Sequence, residues 1–127
     1  MPIRIFLVED HPVMREAYAL VLEREPDVEV CGMAETAEEC LAVLDGTPCD
    51  LLVTDLSLPG MDGVALLEHI RDERPDLPGI VISAHDEASH GERVRRAGAR
   101  AYLNKRDIAR RLAPTIRRVV EEGSVSA

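Results

Sequence analysis

The chain has 127 residues, a formal net charge of −9 and an aromatic content of only 2%, with no tryptophan. A chain of this length forms a single domain with its own core, and the scarcity of aromatic side chains argues against binding of single-stranded nucleic acid, which uses them to stack bases. No apolar run reaches the ~18 residues of a membrane span. The N-terminus lacks a signal-peptide pattern, so the sequence predicts a cytoplasmic protein.

Charge is unevenly distributed along the chain. Residues 1–90 hold 5 basic and 20 acidic residues, whereas residues 91–127 hold 10 basic and 4 acidic residues. The basic C-terminal quarter is either a solvated helical face or a surface for a partner. Cys31, Cys40 and Cys49 include no Cys-x-x-Cys pair, so their spacing favours neither a disulfide framework nor a zinc site.

Strand and helix patterns alternate from the N-terminus. The β-rich run Ile3–Val8 predicts a buried strand, and Pro12 suits the first turn of a helix that reaches about Arg24. Its core-facing residues are predicted from the apolar positions at helical spacing, which are Val13, Met14, Ala17, Leu20 and Val21. A second strand is predicted over 28–33. Thr36 and Glu39 then match a capping box for a helix over 37–44.

The same alternation continues with an apolar strand over 50–55 that ends in a carboxylate, a Pro-Gly turn and a helix over 63–73. A fourth strand is predicted over 79–83. The helix after it is weakly predicted, because Ser89, His90 and Gly91 have modest or poor helix propensity.

The last predicted strand covers 101–104, and a basic helix follows from about residue 107 to about residue 122. Pro114 lies inside that helix, where it deletes a backbone donor and collides with a carbonyl group. We therefore expect the helix to be kinked there, or broken into a turn and a main helix that begins near Pro114.

Five alternations predict a doubly wound α/β fold with a parallel sheet, whose strands all end at one edge. The side chains at that edge are Glu9, Asp10, Asp55, Ser83 and Lys105. Three carboxylates there would repel each other unless a cation were bound, and an oxygen-only cluster suits Mg²⁺. A lysine ammonium and a serine hydroxyl are groups that stabilise phosphoryl oxygens.

These residues resemble those of the receiver domain of two-component response regulators, over Ile3 to about Val120. The acidic pair, the segment Asp55–Gly63, Ser83 and Lys105 carry the resemblance, and the His-Pro that follows the acidic pair and the segment 97–103 are most similar to receivers of NarL/LuxR-type transcription factors. The resemblance implies a CheY-like, flavodoxin-like fold with strand order 2-1-3-4-5. It also implies a receiver domain over 1–122, with 123–127 as a tail or the start of a linker.

The resemblance further implies roles for single residues. Asp55 would accept a phosphoryl group from a sensor histidine kinase, in a signalling switch that is not itself an enzyme. The Mg²⁺ site would comprise Asp10, Asp55, the main-chain carbonyl of Ser57 and, through water, Glu9. Phosphoryl oxygens would contact Ser83, Lys105 and the backbone of Ala84, and Ser83 and Tyr102 would form the switch.

The expected output is a change at the face formed by the fourth helix, fifth strand and fifth helix. Its basic residues are predicted to be Arg93, Arg95, Arg96, Arg110, Arg111, Arg117 and Arg118. The expected partners are the kinase and, after phosphorylation, a second copy of the chain. DNA would be bound only through a downstream domain that this chain does not contain, and no membrane contact is expected.

Several alternatives remain open at this point. The sole role of Glu9 and Asp10 could be a favourable interaction with the positive end of a helix, and the sole role of Tyr102 could be packing. Asp62 is interpreted as a helix cap rather than a metal ligand. A free-standing receiver and a fold that only binds partners are further readings. A magnesium-dependent phosphatase of the haloacid-dehalogenase type would need an acid/base aspartate where Ser57 stands.

The four histidines and the residue after the lysine carry no further site prediction. His11, His69, His85 and His90 share no metal-ligand spacing and are interpreted as surface or loop residues. Many receivers have a proline in a cis peptide after the lysine, whereas this chain has Arg106.

Overall fold

The computed structural model describes the backbone of residues 2–85 and 87–126 and the side chains of residues 2–85 and 90–122. Within that range strands and helices alternate five times. The strands are β1 Ile3–Val8, β2 Val28–Ala34, β3 Leu51–Asp55, β4 Gly79–Ser83 and β5 Ala101–Asn104. The helices are α1 Pro12–Glu23, α2 Ala37–Leu44, α3 Gly63–Glu73, α4 Glu87–Arg96 and α5 Ile108–Ser126, and a 3-10 turn, Lys105–Asp107, precedes α5.

All five strands are parallel and lie in the order β2-β1-β3-β4-β5. The predicted fold class and strand order are therefore confirmed. β3 and β4 are buried along their whole lengths, because helices cover both faces of the sheet. Their continuous apolar sequences follow from that double burial.

The core has two layers, one on each face of the sheet. Phe6, Leu52 and Val81 pack with α2, α3 and α4 on one face. Leu7 and Val53 lie on the other face and pack with α1 and α5. Neighbouring residues of β1 and β3 thus serve opposite layers, as the period of two in a strand requires.

The predicted core face of α1 is wrong. Val13 and Leu20 are 67% and 59% exposed, whereas Tyr18 and Leu22 are buried. Ala17 is also exposed, and Val21 and Met14 are half-buried. The fully buried residues of α1 are Tyr18, Ala19 and Leu22, none of which was predicted to face the core. Because α1 has apolar residues on two faces, spacing alone could not choose between them.

Helix ends agree with their predicted caps. Thr36 Oγ1 accepts a hydrogen bond from Glu39 N–H at 3.0 Å, which is the capping interaction predicted for α2. The carboxylate of Asp62 caps α3 in the same way, at 2.9 Å from Ala65 N. Asp62 is therefore a helix cap, as predicted.

The predicted break at Pro114 is wrong, because α5 is continuous from Ile108 through Pro114 to Ser126. The preceding 3-10 turn takes the place of the expected first turn, and a kink at the proline stays a prediction. The division of the chain into a domain over 1–122 and a tail also stays a prediction. In the part of the chain that the structure describes, no helix has both the length and the apolar character to cross a membrane.

Candidate functional site

Three carboxylates lie together at the carboxyl edge of the sheet. Glu9 and Asp10 follow β1, and Asp55 ends the neighbouring strand β3. One oxygen from each residue lies within 4.8 Å of the other two. Glu9 and Asp55 are 1% and 3% exposed, whereas Asp10 is exposed. This set of oxygen ligands has the chemistry that Mg²⁺ prefers, with one carboxylate open to solvent.

Lys105 supplies the positive charge of the site. Its Nζ donates a hydrogen bond to Asp55 Oδ2 at 2.8 Å and lies 3.2 Å from Glu9 Oε1. Burial alone would lower the pKa of Lys105, but the hydrogen bond to Asp55 and the charges of Asp55 and Glu9 outweigh it and raise the pKa. The ammonium therefore stays charged between the two buried carboxylates.

The turn that carries Lys105 is closed by its neighbours. Asn104 Oδ1 accepts a hydrogen bond from Arg106 N–H at 3.0 Å and so caps the 3-10 turn. The described residues contain no cis peptide bond, so the lysine is positioned here by a trans peptide and a side-chain cap.

Glu9 is the most buried carboxylate of the cluster. Its Oε2 accepts a hydrogen bond from His11 N–H at 3.1 Å, while its Oε1 faces Lys105 without hydrogen-bond geometry. Burial raises the pKa of Glu9 to about 7; the charge of Asp55 acts in the same direction, and His11 and Lys105 act against it. The site is therefore short of positive charge, and a bound cation would favour the ionised form of Glu9.

Backbone contacts hold Asp55 in place. Its Oδ1 accepts a hydrogen bond from Ser57 N–H at 3.2 Å, and Leu56 N–H donates to Ile82 O at 2.8 Å. A Cβ atom at Gly63 would lie 2.3 Å from the carbonyl oxygen of Asp55, so only glycine lets α3 begin this close to β3. The role of the Ser57 carbonyl as a metal ligand stays a prediction.

The loop between β3 and α3 is braced from both sides. From α2, Glu38 Oε2 accepts a hydrogen bond from Met61 N–H at 3.2 Å. From α4, Arg93 donates to Asp62 Oδ2 at 2.8 Å. Burial opposes ionisation of Asp62, but the hydrogen bonds from Ala65 and Arg93 outweigh it and lower the pKa of the carboxyl group. Arg93 thus points toward α3 and does not belong to the basic face predicted from the sequence.

Ser83 and Tyr102, the predicted switch residues, are connected through His85. The hydroxyl of Ser83, which is 1% exposed, accepts a hydrogen bond from His85 N–H at 3.0 Å. The hydroxyl of half-buried Tyr102 donates to the carbonyl oxygen of His85 at 2.8 Å. A shift of Ser83 would therefore be transmitted to Tyr102 through the single residue His85. The phosphoryl-binding role of the Ala84 backbone stays a prediction.

Two features near the cluster were not predicted from the sequence. Arg15 donates from Nη1 to the carbonyl oxygen of Glu9 at 2.8 Å, which fixes the acidic turn. The hydroxyl of buried Tyr18 is, with Glu9 Oε1, one of two buried side-chain oxygens without a hydrogen-bond partner in the described residues. Burial raises the pKa of Tyr18 to about 12, so this hydroxyl stays neutral. Both residues lie within α1 and not at a strand end, so the pattern of strand ends did not indicate them.

One known protein family matches most of this chain. The family described as "Response regulator receiver domain" matches residues 5–117, which is most of the chain. This chain belongs to that family. This receiver carries the acidic cluster, the lysine and the serine at the expected strand ends.

Curated relatives of the receiver include regulators and an enzyme. It is 34% identical over 102 residues to the uncharacterized transcriptional regulatory protein YhcZ of Bacillus subtilis, and this match covers 80% of the chain and 48% of that protein. It is 38% identical over 112 residues to protein-glutamate methylesterase/protein-glutamine glutaminase 1 of Syntrophus aciditrophicus, with 86% and 32% covered. The receiver therefore spans about half or less of the length of these relatives.

Solved structures agree with the regulator assignment. The crystal structure of a LuxR-family two-component response regulator from Aurantimonas sp. SI85-9A1 superposes with a TM-score of 0.91 at 30% identity. The match covers 96% of this receiver and 87% of that chain. The resemblance to receivers of NarL/LuxR-type regulators is thereby confirmed.

Proposed function

We propose that this receiver is a phosphorylation-activated switch in which Asp55 accepts a phosphoryl group from a sensor histidine kinase with the help of Mg²⁺. The observation that carries the proposal is the convergence of Glu9, Asp10 and Asp55 within 4.8 Å, with Lys105 Nζ at 2.8 Å from Asp55. Such a kinase presents its phosphohistidine on the cytoplasmic side, which would place the receiver there.

Transfer requires a nucleophile, charge neutralisation and alignment. A carboxylate oxygen of Asp55 attacks phosphorus, the bond from phosphorus to the donor nitrogen breaks, and the imidazole leaves with the electron pair. Lys105 then pairs with a phosphoryl oxygen, and the Ser83 hydroxyl and the backbone of Ala84 offer further donors. The ligands proposed for Mg²⁺ are Asp10, Asp55 and the Ser57 carbonyl, with Glu9 acting through water. The bound cation would supply positive charge that offsets the approaching oxygens.

The proposed output is a change at the face of α4, β5 and α5. A phosphoryl group that draws Ser83 toward it would break or shift the hydrogen bond from His85, and His85 holds the hydroxyl of Tyr102. That sequence of contacts gives the charge change at Asp55 a route to β5 and α4. The LuxR-type relatives support transcription as the process controlled. A DNA-binding domain and a phosphorylation-dependent homodimer are part of the proposal for the whole protein.

The decisive experiment is the intact mass of the protein after incubation with acetyl phosphate and Mg²⁺. We expect a gain of one phosphoryl group, which is lost in the Asp55→Asn variant and when Mg²⁺ is chelated. Glu68→Gln, an exposed change on α3, is the matched control and should react like the wild type. A comparable mass gain in Asp55→Asn would contradict the assignment.

The same incubation with acetyl phosphate and Mg²⁺ also tests the phosphatase alternative. A phosphatase of the haloacid-dehalogenase type would release phosphate in many turnovers, and it uses an acid/base aspartate at the position that Ser57 occupies. The relationship to a methylesterase concerns a stretch that makes up 32% of that protein, so the receiver itself is proposed to act as a switch and not as a catalyst.

A further inference from the structure

Two buried oxygen atoms beside the acidic cluster have no hydrogen-bond partner among the described residues. They are Glu9 Oε1 and the hydroxyl oxygen of Tyr18. Glu9 is 1% exposed and Tyr18 is 2% exposed, so both side chains are shielded from bulk water. Most buried polar side-chain atoms in folded proteins have a partner, and a buried group without one destabilises the fold. Packing alone therefore does not explain why both oxygens occur here.

The two oxygens have complementary hydrogen-bonding chemistry. An oxygen of an ionised carboxylate only accepts hydrogen bonds, whereas a tyrosine hydroxyl also carries a proton to donate. Burial raises the pKa of Tyr18 to about 12, so the hydroxyl keeps this proton at neutral pH. The carboxylate oxygen of Glu9 thus lacks a donor, and the hydroxyl of Tyr18 is a donor that lacks an acceptor.

Both oxygens lie near Lys105. The ammonium nitrogen is 3.2 Å from Glu9 Oε1, and after burial the charge of Lys105 has the largest influence on the pKa of Tyr18. The charges of Glu9 and Asp55 also act on Tyr18. The hydroxyl is therefore within electrostatic range of the whole cluster, although it makes no direct hydrogen bond to it in the described residues.

The ring of Tyr18 lies in the core layer between the sheet and the helices α1 and α5. Val53 of β3 belongs to the same layer. Because residues two apart in a strand face the same side of the sheet, Val53 and Asp55 share the face that Tyr18 covers. The other described members of this layer are apolar apart from Tyr18 itself. A phenylalanine would fill the same space, so packing does not require the hydroxyl.

Transfer to Asp55 would change the contacts of Lys105. In the proposed function the ammonium leaves Asp55 Oδ2 and pairs with a phosphoryl oxygen, which weakens its contact with Glu9 Oε1. The backbone N–H of His11 is the other group that favours ionised Glu9, but it is already bound to Oε2. Tyr18 is therefore the donor that can hold Oε1 while the lysine moves.

We propose that the Tyr18 hydroxyl is a positioning group for phosphoryl transfer, which holds Glu9 Oε1 through one bridging water molecule while Lys105 turns to the phosphoryl group. The water would accept from Tyr18, donate to Glu9 Oε1 and have Lys105 as a third partner; buried waters typically make about three hydrogen bonds. Such bridges are nearly as favourable in enthalpy as direct hydrogen bonds. The inference rests on the proposed function, because Lys105 turns only if Asp55 is phosphorylated.

The state of the hydroxyl can be measured by NMR, because the chain has only two tyrosines. Receiver labelled with ¹³C at the ring carbon that bears the hydroxyl gives two signals, which Tyr18→Phe and Tyr102→Phe assign. We expect the Tyr18 signal to shift in Glu9→Gln, where the glutamine oxygen accepts from His11 N–H and the amide NH₂, a donor, replaces Oε1. The signal should also shift with Mg²⁺ and beryllofluoride, a mimic of the phosphoryl group.

The rate of transfer gives a second measurement. Tyr18→Phe should slow the mass gain from acetyl phosphate and Mg²⁺ by about threefold to tenfold, the range of one net hydrogen bond. In the Glu9→Gln background the same substitution should leave the rate unchanged, because the two substitutions remove one shared interaction. Glu23→Gln, an exposed change at the end of α1, is the control and should affect neither the Tyr18 signal nor the rate. Thermal unfolding of each variant establishes that the fold is retained.

Three results would each overturn the proposal. They are a Tyr18 signal that does not move in Glu9→Gln, a rate that does not change in Tyr18→Phe, and an equal slowing by Tyr18→Phe with glutamate and with glutamine at position 9. A failure of the switch has a different signature, because it is the absence of a mass gain in the wild type. A mass gain with an unmoved Tyr18 signal refutes the bridge alone, and a moved Tyr18 signal without a mass gain refutes the switch and the role of Tyr18 in transfer while leaving the bridge in place.

Discussion

Replacing Glu9 with glutamine should stabilise the fold in the absence of divalent cations. The carboxyl group is 1% exposed, lies beside Asp55 and has one oxygen without hydrogen-bond geometry. Glutamine keeps the shape and an acceptor for His11 N–H, but it removes the charge whose burial is unfavourable. The variant therefore mimics the protonated form of Glu9 at every pH.

The size of the effect follows from the pKa of Glu9. Burial raises that pKa from its ordinary 4.5 to about 7. Because the pKa of Glu9 is higher in the folded state than in the unfolded state, the protonated form of Glu9 stabilises the fold. This stabilisation is complete below about pH 4.5 and is lost as pH rises through about 7. At ~1.36 kcal/mol per pKa unit, the whole loss is about 3 kcal/mol. The glutamine variant does not suffer this loss.

Urea unfolding followed by circular dichroism, in the presence of a chelator, measures the prediction directly. Between about pH 5.5 and about pH 8.5, the free energy of unfolding of the variant should gain about 2 kcal/mol relative to the wild type. Glu29→Gln, an exposed change on β2, is the control and should show no such pH-dependent gain. A difference between Glu9→Gln and wild type that is constant with pH, or that favours the wild type at high pH, would refute the reasoning.

Three other predictions concern the backbone and the switch. Gly63→Ala should lower the free energy of unfolding by about 1–3 kcal/mol and slow the modification of Asp55 by acetyl phosphate, because the new Cβ would lie 2.3 Å from the Asp55 carbonyl oxygen. The control Gly46→Ala, whose Cβ would have its nearest contact at 3.9 Å, should have neither effect. Pro114→Ala should raise the free energy of unfolding by about 1 kcal/mol in urea titrations, less than the ~3 kcal/mol of an unadapted helix, because α5 is already continuous there; no gain would show that the proline is unstrained. Tyr102→Phe should leave the mass gain at Asp55 intact and reduce the beryllofluoride-dependent protection of α4 in hydrogen exchange, and an unchanged exchange pattern would remove the tyrosine from the switch.

The alternation of elements could be predicted because each apolar run in this chain ends at a polar residue or a turn. The strands over 3–8, 79–83 and 101–104 have the predicted bounds. The order of the strands came from the family resemblance, because periodicity carries no information on which strands are neighbours. The core face of α1 could not be predicted, since exposed Val13 and Leu20 are as apolar as buried Leu22.

The site was predictable only where topology brings residues to one edge. Glu9, Asp55 and Lys105 all follow or end parallel strands, so their proximity followed from the fold, whereas their roles in transfer stay predictions. The hydrogen bonds that Arg93 donates to Asp62 and that Met61 N–H donates to Glu38 connect different helices and loops. Such contacts depend on helix rotation and side-chain reach, which sequence spacing does not determine.

The helices α4 and α5, which both contact β5, are attached to the protein very differently. α5 buries Ile108, Leu112, Ile116 and Val119, and the pairs of Arg117 secure its outer side. Among its described side chains, α4 buries only Val94.

Apart from the buried side chain of Val94, the described contacts between α4 and α3 are exposed. Arg93 reaches Asp62, and Arg71 donates to the carbonyl oxygen of Arg96 at 2.7 Å. Exposed pairs of this kind each contribute about 1 kcal/mol or less. A change at the face of α4, β5 and α5 should therefore come almost wholly from displacement of α4 against a stationary α5. The distance between Arg95 on α4 and Arg111 on α5 would then vary with signalling state, while the spacing of Arg111 and Arg118 within α5 would stay constant.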